Sequence, residues 1–223
     1  MIVKVGPICR PDNLREVSQL PVDMLTFDFT EGSHCRMPMA PSRSGIIPDR
    51  LTDKTRDAIA TGLQSRVGVF ADEMMQNVVT RVYNFRLDYV QLNGDFPLCY
   101  LDNLRATIVP DIRLSLKIIK TVRLESTADL IAAKQYEGHA DMLLFVIANN
   151  KNSSECNPMH LLDLYDGTMP FIVCADFGAD DYDSIKHISN PHFLGIEFGS
   201  SFDSSPGIKD VHAIRRFLDS IGR

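Results

Sequence analysis

The sequence lacks the cysteine patterns that build disulfide-stapled folds and metal sites. Its five cysteines are odd in number and widely spaced, no CxxC pair occurs, and the six histidines are scattered. No apolar run approaches the roughly 18 residues of a transmembrane helix, and the chain reaches Gly6-Pro7 too soon for a signal peptide. We therefore expect a cytoplasmic protein with reduced thiols, no metal and no membrane association. The cysteines are Cys9, Cys35, Cys99, Cys156 and Cys174.

The sequence also lacks an excess of basic charge. Its 23 Lys and Arg residues are outnumbered by 29 Asp and Glu residues, for a net charge of −6. This argues against broad binding to nucleic acid or anionic membrane, but it leaves a local basic pocket open. Neither a dinucleotide-binding GxGxxG nor a P-loop occurs. With 223 residues, 44% of them hydrophobic, we expect one globular domain spanning 1–223, as a monomer or homodimer.

Eight short runs of apolar and β-branched residues recur along the chain, with helical patterns between them. Several runs are continuously apolar, as expected for strands buried on both faces of a parallel sheet. This alternation favours an α/β fold, a closed (β/α)8 TIM barrel, over an open doubly wound sheet. The predicted strands span residues 2–5, 24–29, 67–70, 89–92, 117–124, 142–147, 171–175 and 195–198.

Helical spacing is clearest around residues 75–82, where Asp72 is placed to cap, and after Asp210. Further helices are expected over 13–20, 53–63, 127–136 and 180–188. Two long polar segments, 30–50 and 148–159, each follow a strand, so they belong at the C-terminal mouth of a barrel. They are either substrate-binding loops or plain surface loops.

The loop before the C-terminal helix, 199–210, is rich in small residues and follows a short apolar strand. Small side chains leave backbone N–H groups uncovered, which a phosphate needs when it docks between a strand end and a helix. Gly199, Ser200 and Ser201 are therefore candidate ligand-binding residues. The alternative is turn chemistry at the start of that helix.

Five motifs connect the chain to a known family. They are VKV at 3–5 with RPD at 10–12, VGVFA at 67–71, LDYVQLNGD at 87–95, IKTVR at 119–123 and SSPGIKD at 204–210. In order and spacing they resemble the segments VKICGITRPED, VGVF, LDYVQLHGDE, IKAIRV and PGxKD of the phosphoribosylanthranilate isomerase family of tryptophan biosynthesis. The resemblance covers nearly the whole chain, identifies a divergent member and implies a (β/α)8 fold.

The resemblance also implies an activity, the Amadori rearrangement of an N-linked phosphoribosyl aminoaldose to a 1-amino-2-ketose. A general acid protonates the ring oxygen, and a general base removes the C2 proton. In the family, a Cys at the end of the first barrel strand is the base and an Asp at the end of the sixth is the acid, without a cofactor. Here those positions hold Gly6 and Val146, so we expect the usual mechanism to be absent.

Other positions depart from the family as well. The histidine of LHGD is Asn93, and the family's phosphate loop GGTG is the segment 153–156, which contains Glu155. The family's AGGL is the segment 175–178, in which Asp176 has the wrong charge for a phosphate and Phe177 is bulky. Arg36 is the candidate for an arginine that follows the second barrel strand in the family, with the register of that match left open.

Three residues are candidate substitutes for the missing pair. Cys9 lies three residues past the expected base, although a single cysteine is more often a small buried hydrophobe. Asp176 stands at a strand end. Asp28 interrupts an apolar strand and is either a site residue or a structural ion-pair partner of Lys4, Lys120 or Arg123.

Two main hypotheses follow. The first is an isomerase that uses Cys9 with Asp176 or Asp28. The second is a catalytically silent or repurposed barrel that binds another small ligand or a partner protein, or one that has changed its substrate. In either case the expected ligand is small, phosphorylated or anionic, and held at the C-terminal mouth. Candidate binding residues besides the loop at 199–201 are Arg36, Asn93 and Arg123, the last with the alternative of pairing a core carboxylate.

Overall fold

A computed structural model describes residues 1–41, 48–59, 62–147, 159–179 and 181–223. Eight parallel strands close into a barrel in chain order, with the last strand pairing with the first, so the predicted α/β TIM barrel is confirmed. The barrel strands are β1 (Ile2–Val5), β2 (Met24–Asp28), β5 (Ser65–Ala71), β6 (Tyr89–Asn93), β7 (Lys117–Leu124), β8 (Met142–Ile147), β9 (Phe171–Cys174) and β10 (Phe193–Phe198).

Four short strands lie outside the barrel. The pair β3 (Met39–Pro41) and β4 (Pro48–Leu51) is antiparallel and follows the second barrel strand. The pair β11 (Asp203–Ser205) and β12 (Ile208–Lys209) forms a small hairpin after β10. The sequence predicted loops in both places, and both pairs fold back at the carboxyl end of the barrel.

Helices alternate with the barrel strands. The predicted N-cap is confirmed for the last helix and wrong for the third. Asp210 caps the last helix, since its carboxylate accepts hydrogen bonds from the N–H groups of His212 and Ala213. Asp72 does not cap the third helix; the N-cap is Met74, and Asp72 has a φ of 51°. The helices are α1 (Pro11–Val17), α2 (Asp53–Ile59), α3 (Met75–Phe85), α4 (Leu98–Ile108), α5 (Thr127–Ala133), α6 (Met159–Asp163), α7 (Tyr182–Ile185) and α8 (Val211–Ser220).

Two apolar clusters hold these layers together. The larger one joins the outward faces of the strands to the helices. The smaller one comes from alternate residues of neighbouring strands, so it fills the barrel lumen as layers of side chains do in this fold. Its buried members are Met24, Val67, Ile119, Met142, Leu144 and Ile172. Among the described residues this cluster packs the lumen, which favours the carboxyl ends of the strands as the place for a ligand.

Candidate ligand site at the barrel mouth

Gly6 directly follows β1, at the carboxyl end of the barrel that forms its mouth. The resemblance places the catalytic base at this position. A Cβ atom built on Gly6 would lie 2.2 Å from Thr26 Cβ and 2.8 Å from Thr26 Oγ1. Thr26 on β2 is fully buried, and its hydroxyl oxygen has no hydrogen-bond partner. The neighbouring strand thus occupies the space that a side chain at position 6 would need, and only glycine fits this backbone.

Val146 on β8 stands where the resemblance places the catalytic acid. Its side chain packs against the luminal cluster, between Arg123 on β7 and Cys174 on β9. An alkyl side chain carries no exchangeable proton. Neither of the two positions at which the resemblance places the acid–base pair therefore carries a titratable side chain.

A buried ion pair joins the neighbouring strands β1 and β10 beside these positions. Lys4 Nζ is 2.6 Å from Glu197 Oε1, and the two side chains are 0% and 8% exposed. Burial and the Glu197 carboxylate raise the pKa of the adjacent Cys174 thiol to about 12. Cys174 is therefore a neutral thiol. The opposite charges of Lys4 and Glu197 cancel each other.

Asp28, at the end of β2, is not the partner of a strand lysine or arginine, so that expectation was wrong. Its carboxylate accepts hydrogen bonds from Thr30 N at 2.8 Å and from Ser33 Oγ at 2.6 Å. The turn that follows β2 supplies these donors at short range. The three expected partners are bound elsewhere: Lys4 to Glu197, Lys120 to the Gly94 and Thr121 carbonyls, and Arg123 to Glu125.

Arg36 lies beside Asp28, because the two residues form an isolated parallel bridge. The Met37 N–H donates to the Asp28 carbonyl at 2.7 Å, and Arg36 is exposed. Arg36 is thus an exposed side chain at the carboxyl end of β2. Its role in binding an anion stays a prediction.

Asn93 and Arg123 differ in how they are held. The Asn93 side-chain oxygen accepts from Thr121 Oγ1 at 2.5 Å and from Gln91 Nε2 at 3.1 Å, so Asn93 belongs to a hydrogen-bond network inside the mouth. Arg123 is 69% exposed, and its Nε lies 2.5 Å from Glu125 Oε1. Pairing with a core carboxylate, the alternative for Arg123, is therefore wrong.

Cys9 packs at the turn of the β11–β12 hairpin. Its thiol points at the Gly207 carbonyl oxygen, with a sulfur–oxygen distance of 3.6 Å. The Cys35 sulfur lies against the same glycine. This contact could not be predicted from the sequence, because the two cysteines belong to different loops.

The loop after β10 is held from below by a buried lysine. Lys209 Nζ donates to the Gly199 carbonyl at 2.8 Å and to Asp203 Oδ1 at 2.6 Å. Ser200 and Ser201 form a single 3-10 turn and are exposed. The loop is therefore fixed in place while its two serines face solvent, and Lys209 is a residue that the sequence analysis missed.

Asp176 follows β9 and is exposed at the mouth, as its position in the sequence predicted. Phe177 beside it is buried and packs in the larger apolar cluster. Glu155 and Cys156, with the rest of 153–156, lie outside the described residues. Within the described ranges no three His, Cys, Asp or Glu side chains gather as a metal site, and no helix there is long and apolar enough to cross a membrane.

Comparisons with known proteins agree with this architecture. A family model described as N-(5′-phosphoribosyl)anthranilate (PRA) isomerase matches residues 50–220. The N-(5′-phosphoribosyl)anthranilate isomerases of Parabacteroides distasonis and Phocaeicola vulgatus are each 25% identical to this chain over 99% of its length, and the alignments cover 93% and 98% of those proteins.

Solved structures show the same fold. The Thermotoga maritima phosphoribosyl anthranilate isomerase superposes with a TM-score of 0.74 at 20% identity, over 98% of both chains. A second isomerase structure, in complex with reduced 1-(o-carboxyphenylamino)-1-deoxyribulose 5-phosphate, gives a TM-score of 0.72 at 19% identity, over 98% of this chain and 97% of that one.

Proposed function

The chain belongs to the N-(5′-phosphoribosyl)anthranilate isomerase family, and we propose that it binds a small phosphorylated or anionic ligand at the barrel mouth without the family's proton-transfer pair. The observation that carries this proposal is the 2.2 Å approach of Thr26 Cβ to a Cβ built on Gly6. A base cannot be regained there by a small movement, because the clash is with the neighbouring strand.

The acid position supports the same conclusion. Val146 packs into the luminal cluster, and the nearest thiol on the adjoining strand, Cys174, holds its proton because burial raises its pKa to about 12. Loss of one general acid or base typically lowers a rate by about 10²–10⁴-fold. Loss of both leaves little rearrangement unless other groups substitute.

The ligand site that we propose combines the loop after β10 with the rim arginines. Gly199, Ser200 and Ser201 offer backbone and hydroxyl donors, and the buried Lys209 keeps that loop in place. Arg36 at the rim adds positive charge. A related structure holds a phosphorylated sugar analogue, which supports a ligand of that chemical class.

Asn93 and Arg123 complete the proposed set. Asn93 is oriented by Thr121 and Gln91 inside the mouth, and Arg123 is exposed at the end of β7. No nucleic acid or membrane partner is proposed, since the net charge is −6. Ligand identity, a monomeric or dimeric state and a cytoplasmic location remain predictions from the sequence.

A second candidate function is an isomerase that uses Cys9 with Asp28 or Asp176. Cys9 does lie at the mouth, beside the loop that we propose for the ligand. However, its thiol is directed at the Gly207 carbonyl, and the Asp28 carboxylate is occupied by Thr30 and Ser33. The geometry therefore favours binding over catalysis.

Two experiments separate these functions. Calorimetric titration with reduced 1-(o-carboxyphenylamino)-1-deoxyribulose 5-phosphate should give saturable binding that weakens in Arg36→Ala. Expression of the chain in a tryptophan auxotroph that lacks the isomerase should not restore growth. Rescue would overturn the proposal, and loss of rescue in Cys9→Ala would then identify the substitute base. Absence of binding would instead remove the ligand site.

A further inference from the structure

Two half-buried thiols, those of Cys9 and Cys35, meet at one glycine beside the barrel mouth. A Cβ atom built on Gly207 would lie 3.0 Å from Cys9 Sγ and 3.0 Å from Cys35 Sγ. Because both sulfurs lie 3.0 Å from this one point, the distance between them is at most twice 3.0 Å, or 6.0 Å. Rotation about χ1 displaces a cysteine sulfur by roughly 3 Å, so rotation of both side chains spans the gap to a disulfide bond.

The fold brings these thiols together from distant loops. Cys9 lies between β1 and α1, and Cys35 lies between β2 and β3. Gly207 is in the turn between β11 and β12, with a φ of 74° that favours glycine. Because Gly207 has no side chain, nothing from that turn separates the two sulfurs.

The surroundings of Cys35 favour its neutral thiol. Burial raises the pKa of the Cys35 thiol, and so do Cys9, Asp203 and Asp28, in that order, while Lys209 acts in the opposite direction. Among the described residues, these are the charged and titratable groups that act on the pKa of Cys35. Both cysteines are only partly covered, so a small oxidant can reach them.

From this geometry we propose that Cys9 and Cys35 form a reversible disulfide that ties the first two strand–helix loops together across Gly207. The oxidant is a low-molecular-weight disulfide such as oxidised glutathione. The thiolate of one cysteine attacks it, forming a mixed disulfide and releasing one glutathione thiolate. The second cysteine then attacks the protein sulfur and expels the other glutathione. The two thiol protons end on the two released glutathiones, so atoms and electrons balance.

The test is equilibration of the native chain in glutathione buffers, followed by acid quenching and mass spectrometry. The expected product has lost two hydrogen atoms and contains a peptide cross-link between Cys9 and Cys35, which dithiothreitol reverses. Cys9→Ser and Cys35→Ser should each abolish the cross-link. Cys99→Ser is the matched control, because Cys99 is an exposed cysteine on α4, and it should leave the cross-link intact. Stable glutathione adducts without the cross-link would overturn the proposal.

A second variant tests the geometry itself. Gly207→Ala places a methyl group 3.0 Å from each sulfur, so it should slow the cross-link several-fold while Cys99 labelling by iodoacetamide stays unchanged. An equal or faster rate in Gly207→Ala would show that the two thiols do not meet at this glycine.

Discussion

Placing a cysteine at position 6 should destabilise the barrel unless the Thr26 side chain is removed with it. Carbon atoms in contact are ordinarily roughly 3.5–4.0 Å apart, whereas a Cβ on Gly6 would be 2.2 Å from Thr26 Cβ. Overpacking of a core costs about 1–3 kcal/mol. Because the clash involves atoms close to two adjacent backbones, we expect Gly6→Cys to cost about 3 kcal/mol.

The choice of the second substitution follows from the atoms involved. Thr26→Ala keeps the offending Cβ, so it should not relieve Gly6→Cys. Thr26→Gly removes both the Cβ and the unpaired hydroxyl, and the next atom, Thr26 Cα, is 3.1 Å away. Alone, Thr26→Gly should lower the free energy of unfolding by about 1–2 kcal/mol, because a buried methyl group is lost and the unfolded chain gains conformational entropy. The double variant should therefore cost at least about 2 kcal/mol less than the sum of the single ones.

Urea unfolding of the parent chain, Gly6→Cys, Thr26→Gly and the double variant measures the coupling between the two positions directly. Gly178→Cys is the control, since it adds a cysteine near the mouth where the nearest atom to its Cβ, Asp181 Oδ2, is 3.3 Å away. It should change the free energy of unfolding little. If Gly6→Cys were as stable as the parent chain and uncoupled from Thr26, the argument that position 6 is closed to side chains would fail.

Three further predictions concern the buried polar groups. Lys4→Met should lower the free energy of unfolding by about 3–5 kcal/mol, because it leaves the Glu197 carboxylate buried and uncompensated. Adding Glu197→Leu should recover much of that loss in urea unfolding. Absence of recovery would contradict the pairing. Lys209→Met should lower the free energy of unfolding by a similar amount, because it leaves the Asp203 carboxylate without its partner. It should also weaken ligand binding at the neighbouring loop, measured by calorimetry. Unchanged stability would contradict the role of Lys209. Cys174 should react slowly with iodoacetamide at about pH 8, since a pKa of about 12 leaves about one thiol in 10⁴ ionised. Labelling as fast as the exposed cysteine on α4 would contradict its burial.

Much of the barrel could be predicted because parallel strands buried on both faces are visible as apolar runs. The strands Lys117–Leu124 and Met142–Ile147 have the predicted bounds. The helix Leu98–Ile108 was missed, although Leu101, Leu104 and Ile108 share one buried face. Its N-cap is Pro97 with no side-chain cap, so the usual start signal is absent.

The site was less accessible to sequence reasoning, because its geometry depends on which residues face each other across strands. Motif matching could place Gly6 and Val146, but it could not reveal that Thr26 fills the space beside Gly6. The register that sets Lys4 opposite Glu197 joins the first and last barrel strands. Nothing local in either strand indicates that pairing, which is why Lys4 was wrongly considered as a partner for Asp28.

Turnover of N-(5′-phosphoribosyl)anthranilate by the purified chain tests the central claim most directly. Because neither Gly6 nor Val146 has a side chain that transfers protons, kcat/KM should be at least about 10⁴-fold below that of the Parabacteroides distasonis relative measured in the same assay. A value within tenfold of that relative would contradict the account, since it would require an effective acid and base at a mouth where Gly6 and Val146 supply neither.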